Sequence, residues 1–255
     1  MTKKVFASFL LALLLCIPSA YGYTVQDLIG TTPQTGLQVG DKIFYGFTFG
    51  SSAPSCASEQ TVTCTWSTSD PAQINVVPFL WGNNPGLPGI SFQGSIASLD
   101  LIHYQGNLLI YDTVDIQLGY WVTTVSGLPL ITDIHQHFTG TALPETSNIR
   151  IDEAALVGGE QVGSSHLTVY PNDFNDPGAE GNDQIILQAW SGGTPPYTTI
   201  QIQKDILLSV VKGGSAQVSI IDQAISQVPE PGFYGALALG LSGLVLAFRR
   251  RSAAK

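Results

Sequence analysis

Charged side chains are scarce in this sequence: they make up 11% of its 255 residues, whereas an average soluble domain has about 25%. Basic residues are rarest between residues 23 and 227, where four lysines and arginines stand against eighteen acidic side chains, a net charge of −14. A surface this acidic repels the phosphate backbone of nucleic acids. The composition therefore argues against nucleic-acid binding.

Catalytic signatures are also missing. The sequence has no G-x-S-x-G elbow, no H-E-x-x-H zinc motif, no Walker loop and no Rossmann glycine pattern. Gly213-Gly214-Ser215-Ala216-Gln217 approaches the first of these but lacks its last glycine. The paired carboxylates of glycoside hydrolases are defined by their separation in space, which a sequence does not report. We therefore expect a protein that is not an enzyme.

Only three cysteines are present. Cys16 follows Leu15 within an apolar run, and because leucine is too large for the position before a lipid-modified cysteine, we expect no lipid there. Cys56 and Cys64 remain as a pair in a Ser/Thr-rich stretch, and two cysteines alone do not complete a structural zinc site. In an oxidising compartment, a disulfide between them is the simpler interpretation.

The first 22 residues have the organisation of a secretory signal peptide. Lys3 and Lys4 precede the apolar residues 5–17, a run too short to span a membrane comfortably. Small residues at Ala20 and Gly22 suit a signal peptidase, so we expect cleavage after Gly22, with cleavage after Ala20 as the alternative. The other interpretation is a retained anchor helix.

The C-terminal 28 residues combine three features in order. Val228-Pro229-Glu230-Pro231 precedes the uncharged residues 233–248, and Arg249-Arg250-Arg251 follows. The two prolines hold the chain extended. A helix over the sixteen uncharged residues would be about 24 Å long, slightly shorter than the hydrocarbon core of a membrane, which is about 30 Å thick. Because the arginines and the N-terminal lysines should both stay cytoplasmic, residues 23–227 should lie outside the membrane.

These C-terminal features resemble the PEP-CTERM sorting signal. The resemblance implies that exosortase, a membrane cysteine protease, processes the chain near Pro229-Glu230-Pro231. It also implies an inner-membrane intermediate, a final location at the cell surface or outside the cell, and a bacterial host that makes exopolysaccharide or biofilm. The alternative is an ordinary single-pass anchor with a proline-rich stem.

The segment between the two ends has the period-two alternation of β-strands. Residues 114–122 alternate cleanly, residues 200–210 repeat the pattern with Lys204 interrupting it, and residues 149–155 give a weaker version. Further strand candidates are residues 43–49, 74–78, 90–93, 166–170, 185–189 and 218–221. Turn-forming clusters of Gly, Pro and Asn separate these runs. We therefore predict an all-β protein, with one antiparallel β-sandwich over residues 23–227 flanked by the signal helix and a transmembrane helix over residues 233–248.

This segment is also similar to the ectodomain of some PEP-CTERM proteins. The similarity lies in short spaced fragments, among them residues 40–44, 88–92, 131–133, 151–153, 204–206 and 216–220. Because no activity is assigned to that ectodomain, the similarity supports location and fold alone.

The best candidate for a metal site is Asp133-Ile134-His135-Gln136-His137. On a strand, Asp133, His135 and His137 share one face, and neighbours on that face lie about 6.6 Å apart, close enough for two imidazoles to meet one ion. Asp133 lies about 13 Å from His137, too far to join them without a bend. The alternative is a polar outer face with Ile134 and Phe138 toward the core.

Calcium is a second metal candidate. Residues 172–183 are rich in Asn and Asp, whose oxygens Ca²⁺ prefers, although their spacing does not match an EF-hand. The same residue types form any solvated turn, which is the alternative interpretation.

Four tryptophans suggest a contact with carbohydrate: Trp66, Trp81, Trp121 and Trp190. Trp121 lies on the strand face opposite the apolar stripe, where an exposed indole could stack on a sugar ring. Coverage by another sheet or a loop is the alternative.

Three functional hypotheses follow. The leading one is an exported, non-enzymatic surface or matrix protein associated with exopolysaccharide. The first alternative is a carbohydrate-binding module, and the second is a secreted hydrolase that uses a metal held by His135 and His137.

Overall fold

The computed structural model describes residues 22–54, 62–68, 70–81, 87–104, 111–125, 130–143, 147–169, 181–189, 195–211 and 213–227. Strands dominate these residues, because alternating apolar and polar side chains suit a sheet with one buried face. The strands are β1 Tyr23–Thr24, β2 Leu37–Val39, β3 Lys42–Ser51, β4 Val62–Thr68, β5 Asn75–Trp81, β6 Leu87–Tyr104, β7 Tyr111–Thr124, β8 Ile131–Leu143, β9 Asn148–Val157, β10 Glu160–Val169, β11 Gly181–Ile186, β12 Thr199–Val211 and β13 Ser215–Gln227. The helical elements are α1, Val25–Leu28, and a 3₁₀ turn, Pro71–Gln73.

The strands form two antiparallel sheets. One has the order β1-β5-β6-β13-β8-β11, with β4 also paired to β6, and the other has the order β10-β9-β12-β7-β3-β2. The long strand β6 borders β13 along one edge, while β5 and β4 share its other edge. Hereafter these are the seven-stranded and the six-stranded sheet.

The core lies between the inner faces of the two sheets. Four aromatic rings meet there: Phe47 stacks on Tyr120 at a centroid distance of 5.2 Å, and Phe92 and Phe44 lie 5.7 and 6.2 Å from Tyr120. Phe92 comes from the seven-stranded sheet and the other three from the six-stranded sheet. The aromatic cluster therefore joins the two layers of a sandwich.

The predicted all-β architecture is confirmed as two antiparallel sheets. The runs at 114–122, 149–155 and 200–210 lie within β7, β9 and β12. The runs at 90–93 and 218–221 are short pieces of the much longer β6 and β13. The strand candidates did not include β1, β2, β4 or β8, although the metal-site hypothesis assumed a strand at β8, and the candidate at 185–189 overlaps β11 only at Ile185 and Ile186.

The two predicted terminal helices fall in residues 1–21 and 228–255, outside the described residues. Within the described part of the chain, no helix has the length and apolar character needed to cross a membrane. The signal peptide and the transmembrane helix therefore stay predictions from sequence.

Candidate functional site

The outer face of the six-stranded sheet carries a polar groove. Its volume is about 630 Å³, and it crosses five neighbouring strands, β10, β9, β12, β7 and β3. The residues along it are mostly outward-facing and polar or small: Thr48, Gln117, Gly119, Asp152, Ala154, Gln161, Ser164, His166, Gln203 and Asp205. Since amide, hydroxyl and carboxylate groups offer both donors and acceptors, the groove suits a ligand with many hydroxyl groups.

Two glycines shape this groove locally. A Cβ atom at Gly119 would lie 2.6 Å from Thr48 Oγ1, so a larger residue here would displace the hydroxyl of Thr48. Gly46 has φ of +62° at a break in the β3–β7 register, between Tyr45 and Thr48. The extra residue of this bulge allows Tyr45 and Thr48 both to point outward.

A pair of carboxyl groups lies beside the groove on adjacent strands. Asp115 of β7 lies close to Asp205 of β12, and Asp205 lines the groove. Burial, followed by the hydrogen bond and the negative charge of Asp205, raises the pKa of Asp115 to about 6. Asp115 therefore loses its proton as the pH rises through about 6, and its charge is then repelled by that of Asp205.

A third carboxylate is paired with an arginine and a histidine. Asp152 of β9 lies directly opposite Asp205 in the register. Its Oδ2 accepts a hydrogen bond from Arg150 Nη2 at 2.7 Å, and its Oδ1 pairs with His166 Nδ1. His166 Nε2 also lies 3.0 Å from Thr168 Oγ1. These contacts fix the orientation of Asp152 and His166 at the β9–β10 end of the groove.

Trp121 is on the outer face that the alternation predicted, next to the groove. It is half-buried, and its ring stacks on Tyr45 with a centroid distance of 6.5 Å and an interplanar angle of 22°. A Cβ atom at Gly46 would lie 3.2 Å from Trp121 Cδ1, so the bulge also brings the backbone against the indole. Burial raises the pKa of the Tyr45 phenol. The structure thus places an aromatic pair on the same face as the groove.

The other described tryptophans lie elsewhere. Trp66 and Trp81 belong to the seven-stranded sheet, and the ring of Trp81 lies 6.0 Å from that of His137. Trp190 falls outside the described residues. The described tryptophans therefore do not form one shared platform.

His135 and His137 lie on the outer face of the seven-stranded sheet, away from the groove. His135 Nε2 is 2.9 Å from Ser226 Oγ and 3.5 Å from Asp133 Oδ1, and His137 Nδ1 is 3.2 Å from Asp222 Oδ2. In a catalytic triad the serine and the carboxylate approach opposite ring nitrogens. Here both approach the same nitrogen, so the arrangement is not that of a triad.

No three His, Cys, Asp or Glu side chains within the described ranges are arranged to hold a metal ion. The calcium candidate, residues 172–183, falls largely outside those ranges, and the side chains of residues 181–183 are not described. Cys56 also falls outside them, and the side chain of Cys64 is not described. The histidine metal site, the calcium site and the disulfide therefore stay predictions.

Comparison with known proteins identifies the C-terminal segment. Residues 227–251 match the PEP-CTERM protein-sorting motif. The chain carries this sorting signal. The PEP-CTERM match begins where β13 ends, at Gln227, and spans Val228-Pro229-Glu230-Pro231 and Arg249-Arg250-Arg251. A PEP-CTERM signal implies export, a membrane-anchored intermediate and processing by exosortase.

No curated protein matches the sequence. Among solved structures, TmCBM61 in complex with β-1,4-galactotriose is 11% identical, with 65% of this chain and 88% of that chain covered and a TM-score of 0.30. A carbohydrate-binding module of the β-sandwich superfamily is 13% identical, with 72% and 57% covered and a TM-score of 0.26. The CBM36-1 domain of a xylanase from the hindgut metagenome of Trinervitermes trinervoides is 13% identical, with 71% and 99% covered and a TM-score of 0.23. Scores this low do not establish a common function.

Sequence reasoning missed most of the groove. Asp115, Asp205 and Tyr45 were not predicted as site residues, although Asp115 and Trp121 share one strand face by simple alternation. The signal that could have found them was a run of polar outward positions on several strands of one sheet. Only the strand order, which the alternation does not specify, brings those positions together.

Proposed function

We propose that residues 23–227 form a non-catalytic glycan-binding domain of an exosortase-sorted protein, associated with secreted polysaccharide at the cell surface. The observation that carries this proposal is the polar groove together with the stacked Trp121–Tyr45 pair on the same face. Sugar hydroxyls pair with amide, hydroxyl and carboxylate groups, and the apolar face of a sugar ring packs on an aromatic ring.

The charge of the domain narrows the ligand class. The segment carries a net charge of −14, and the groove contains Asp152 and Asp205 with Asp115 beside it. An anionic polysaccharide would be repelled by this field. The ligand is therefore a neutral or cationic glycan.

Affinity electrophoresis of the exported domain in gels containing neutral polysaccharides, such as galactan or xylan, tests the proposal. We expect retardation that Trp121→Ala weakens at least about tenfold, equivalent to about 1.4 kcal/mol. Trp66→Ala is the matched control, because Trp66 is 38% exposed on the other sheet. Equal retardation of both variants, or retardation in anionic but not neutral gels, would contradict the proposed site.

A further inference from the structure

An amine, an amide and a carboxylate meet in the core between the two sheets. Lys204 of β12, Gln136 of β8 and Glu153 of β9 are each at most 2% exposed. Lys204 Nζ contacts both Gln136 Oε1 and Glu153 Oε2. The amine therefore touches an amide from the opposite sheet and a carboxylate from its own sheet.

Neighbouring side chains hold the amide and the carboxylate in place. Gln136 Nε2 donates a hydrogen bond to Ser165 Oγ at 3.3 Å, which orients the amide with its oxygen toward Lys204. Gln223 Nε2 donates to Glu153 Oε1 at 2.9 Å, which leaves Oε2 for Lys204. Each oxygen of the carboxylate thus has a separate partner.

Burial makes the amine of Lys204 easier to deprotonate. Burial is the main influence on Lys204 and lowers the pKa of its ammonium group, although the charge of Glu153 and the hydrogen bond to it act in the opposite direction. The buried Tyr120, which joins the aromatic cluster, feels the charge of Glu153, so this carboxylate lies beside the apolar part of the core. A desolvated, neutral lysine is a nucleophile.

We propose that Lys204 and Gln136 join in an intramolecular amide cross-link, with Glu153 transferring the proton. Lys204 Nζ attacks Gln136 Cδ, an Nζ–Cδ bond forms, the Cδ–Nε2 bond breaks, and Nε2 leaves as ammonia. Glu153 accepts the proton that Nζ loses and delivers it to the departing Nε2. The step consumes no oxidant, reductant or second substrate, because an amine and an amide exchange to give an amide and ammonia.

The cross-link would fasten the two sheets to each other. It would join β12 of the six-stranded sheet to β8 of the seven-stranded sheet and close a loop whose ends are 68 residues apart. An exported protein is exposed to proteases and gains from a bond that survives reducing conditions, which a disulfide does not. Lys204 and Glu153 border the groove, but their side chains are fully buried beneath it, so the cross-link does not depend on the proposed glycan binding.

Peptide mass spectrometry of the full chain after tryptic digestion tests the cross-link. We expect a branched peptide that joins the fragments containing residues 136 and 204, lighter than their sum by one ammonia, with no cleavage after Lys204. A Lys204–Glu153 link would instead give a single internally cyclised fragment, residues 151–212, lighter by one water, and that product would overturn the role of Gln136. Separate linear peptides with normal cleavage after Lys204 would overturn the cross-link itself.

Two variants test the assigned roles. Gln136→Glu should yield the same branched product with loss of water instead of ammonia. Glu153→Gln preserves the shape of the side chain but removes the proton carrier, so we expect linear peptides from a folded protein, verified by its circular dichroism spectrum. A branched peptide from Glu153→Gln would overturn the role of Glu153. The unmodified chain decides the main question even if a variant fails to fold.

Discussion

Replacing Asp115 by asparagine should stabilise the domain in mildly alkaline solution and have little effect in acid. Burial, with a further contribution from Asp205, raises the pKa of Asp115 to about 6 from an ordinary value of 3.8. A carboxyl group whose pKa is higher in the folded than in the unfolded state stabilises the fold when protonated. That contribution is complete below the unfolded pKa of 3.8 and is lost as the pH rises through about 6.

The size of this effect follows from the shift. About two pKa units correspond to about 3 kcal/mol for a fully buried group. Asp115 is only half-buried, so solvent screening reduces the expected figure to about 1 kcal/mol. Asparagine keeps a donor toward Asp205 and never acquires the charge. The variant should therefore exceed the parent by about 1 kcal/mol in unfolding free energy at about pH 8, and by far less at about pH 4.

Urea titration of both proteins at these two pH values provides the measurement. Asp100→Asn is the control, because Asp100 is an exposed aspartate of β6 on the other sheet. The control should show a similar difference from the parent at both pH values. A variant at Asp115 that is less stable than the parent at about pH 8, or differs from it equally at both pH values, would refute the reasoning.

Three further predictions concern the groove and the two processing steps. Gly119→Ala should weaken glycan retention, because its Cβ atom would displace Thr48 Oγ1, 2.6 Å away, and should cost less than about 1 kcal/mol of stability. Adding Thr48→Ala to that variant should restore retention. Unchanged retention of Gly119→Ala in affinity gels would show that glycan does not contact this part of the groove. Changing both prolines of Pro229-Glu230-Pro231 to alanine should trap the protein in the inner membrane, as judged by cell fractionation, and normal release would remove the role of the prolines. Mass spectrometry without reductant should find Cys56 joined to Cys64, whereas two free thiols would refute the disulfide.

Most of the fold prediction came from the alternation of apolar and polar side chains along the chain. It located the central strands of the six-stranded sheet and placed Trp121 on an outer face, because burial on one face enforces a period of two. It failed at short edge strands such as β2, Leu37–Val39, where three residues do not establish a period. It also truncated β6, because a register irregularity between Gln93 and Ala97, where Gly94 has a φ of +138°, breaks the period of two.

The alternation of side chains also contained evidence for the buried cluster of Lys204, Glu153 and Gln136 that the prediction did not use. Lys204 was treated as an interruption, yet it is in phase with Ile202 and Ile206, which point inward. Glu153 is likewise in phase with Ile151 on its own strand. Two opposite charges at inward positions indicate a buried pair, since neither is tolerated alone. Their meeting with Gln136 depends on how the two sheets pack, which no local pattern reports.

The junction between the domain and its sorting signal has a mechanical consequence. β13 ends at Gln227, and Pro229 follows two positions later in the chain. The strand is an interior one, paired with β6 on one side and β8 on the other. Tension applied from the membrane would run along β13 and have to shear two hydrogen-bond ladders together, whereas an edge strand would separate from one. In the membrane-anchored intermediate that the sorting signal implies, the domain is therefore attached through a strand that is hydrogen-bonded on both sides.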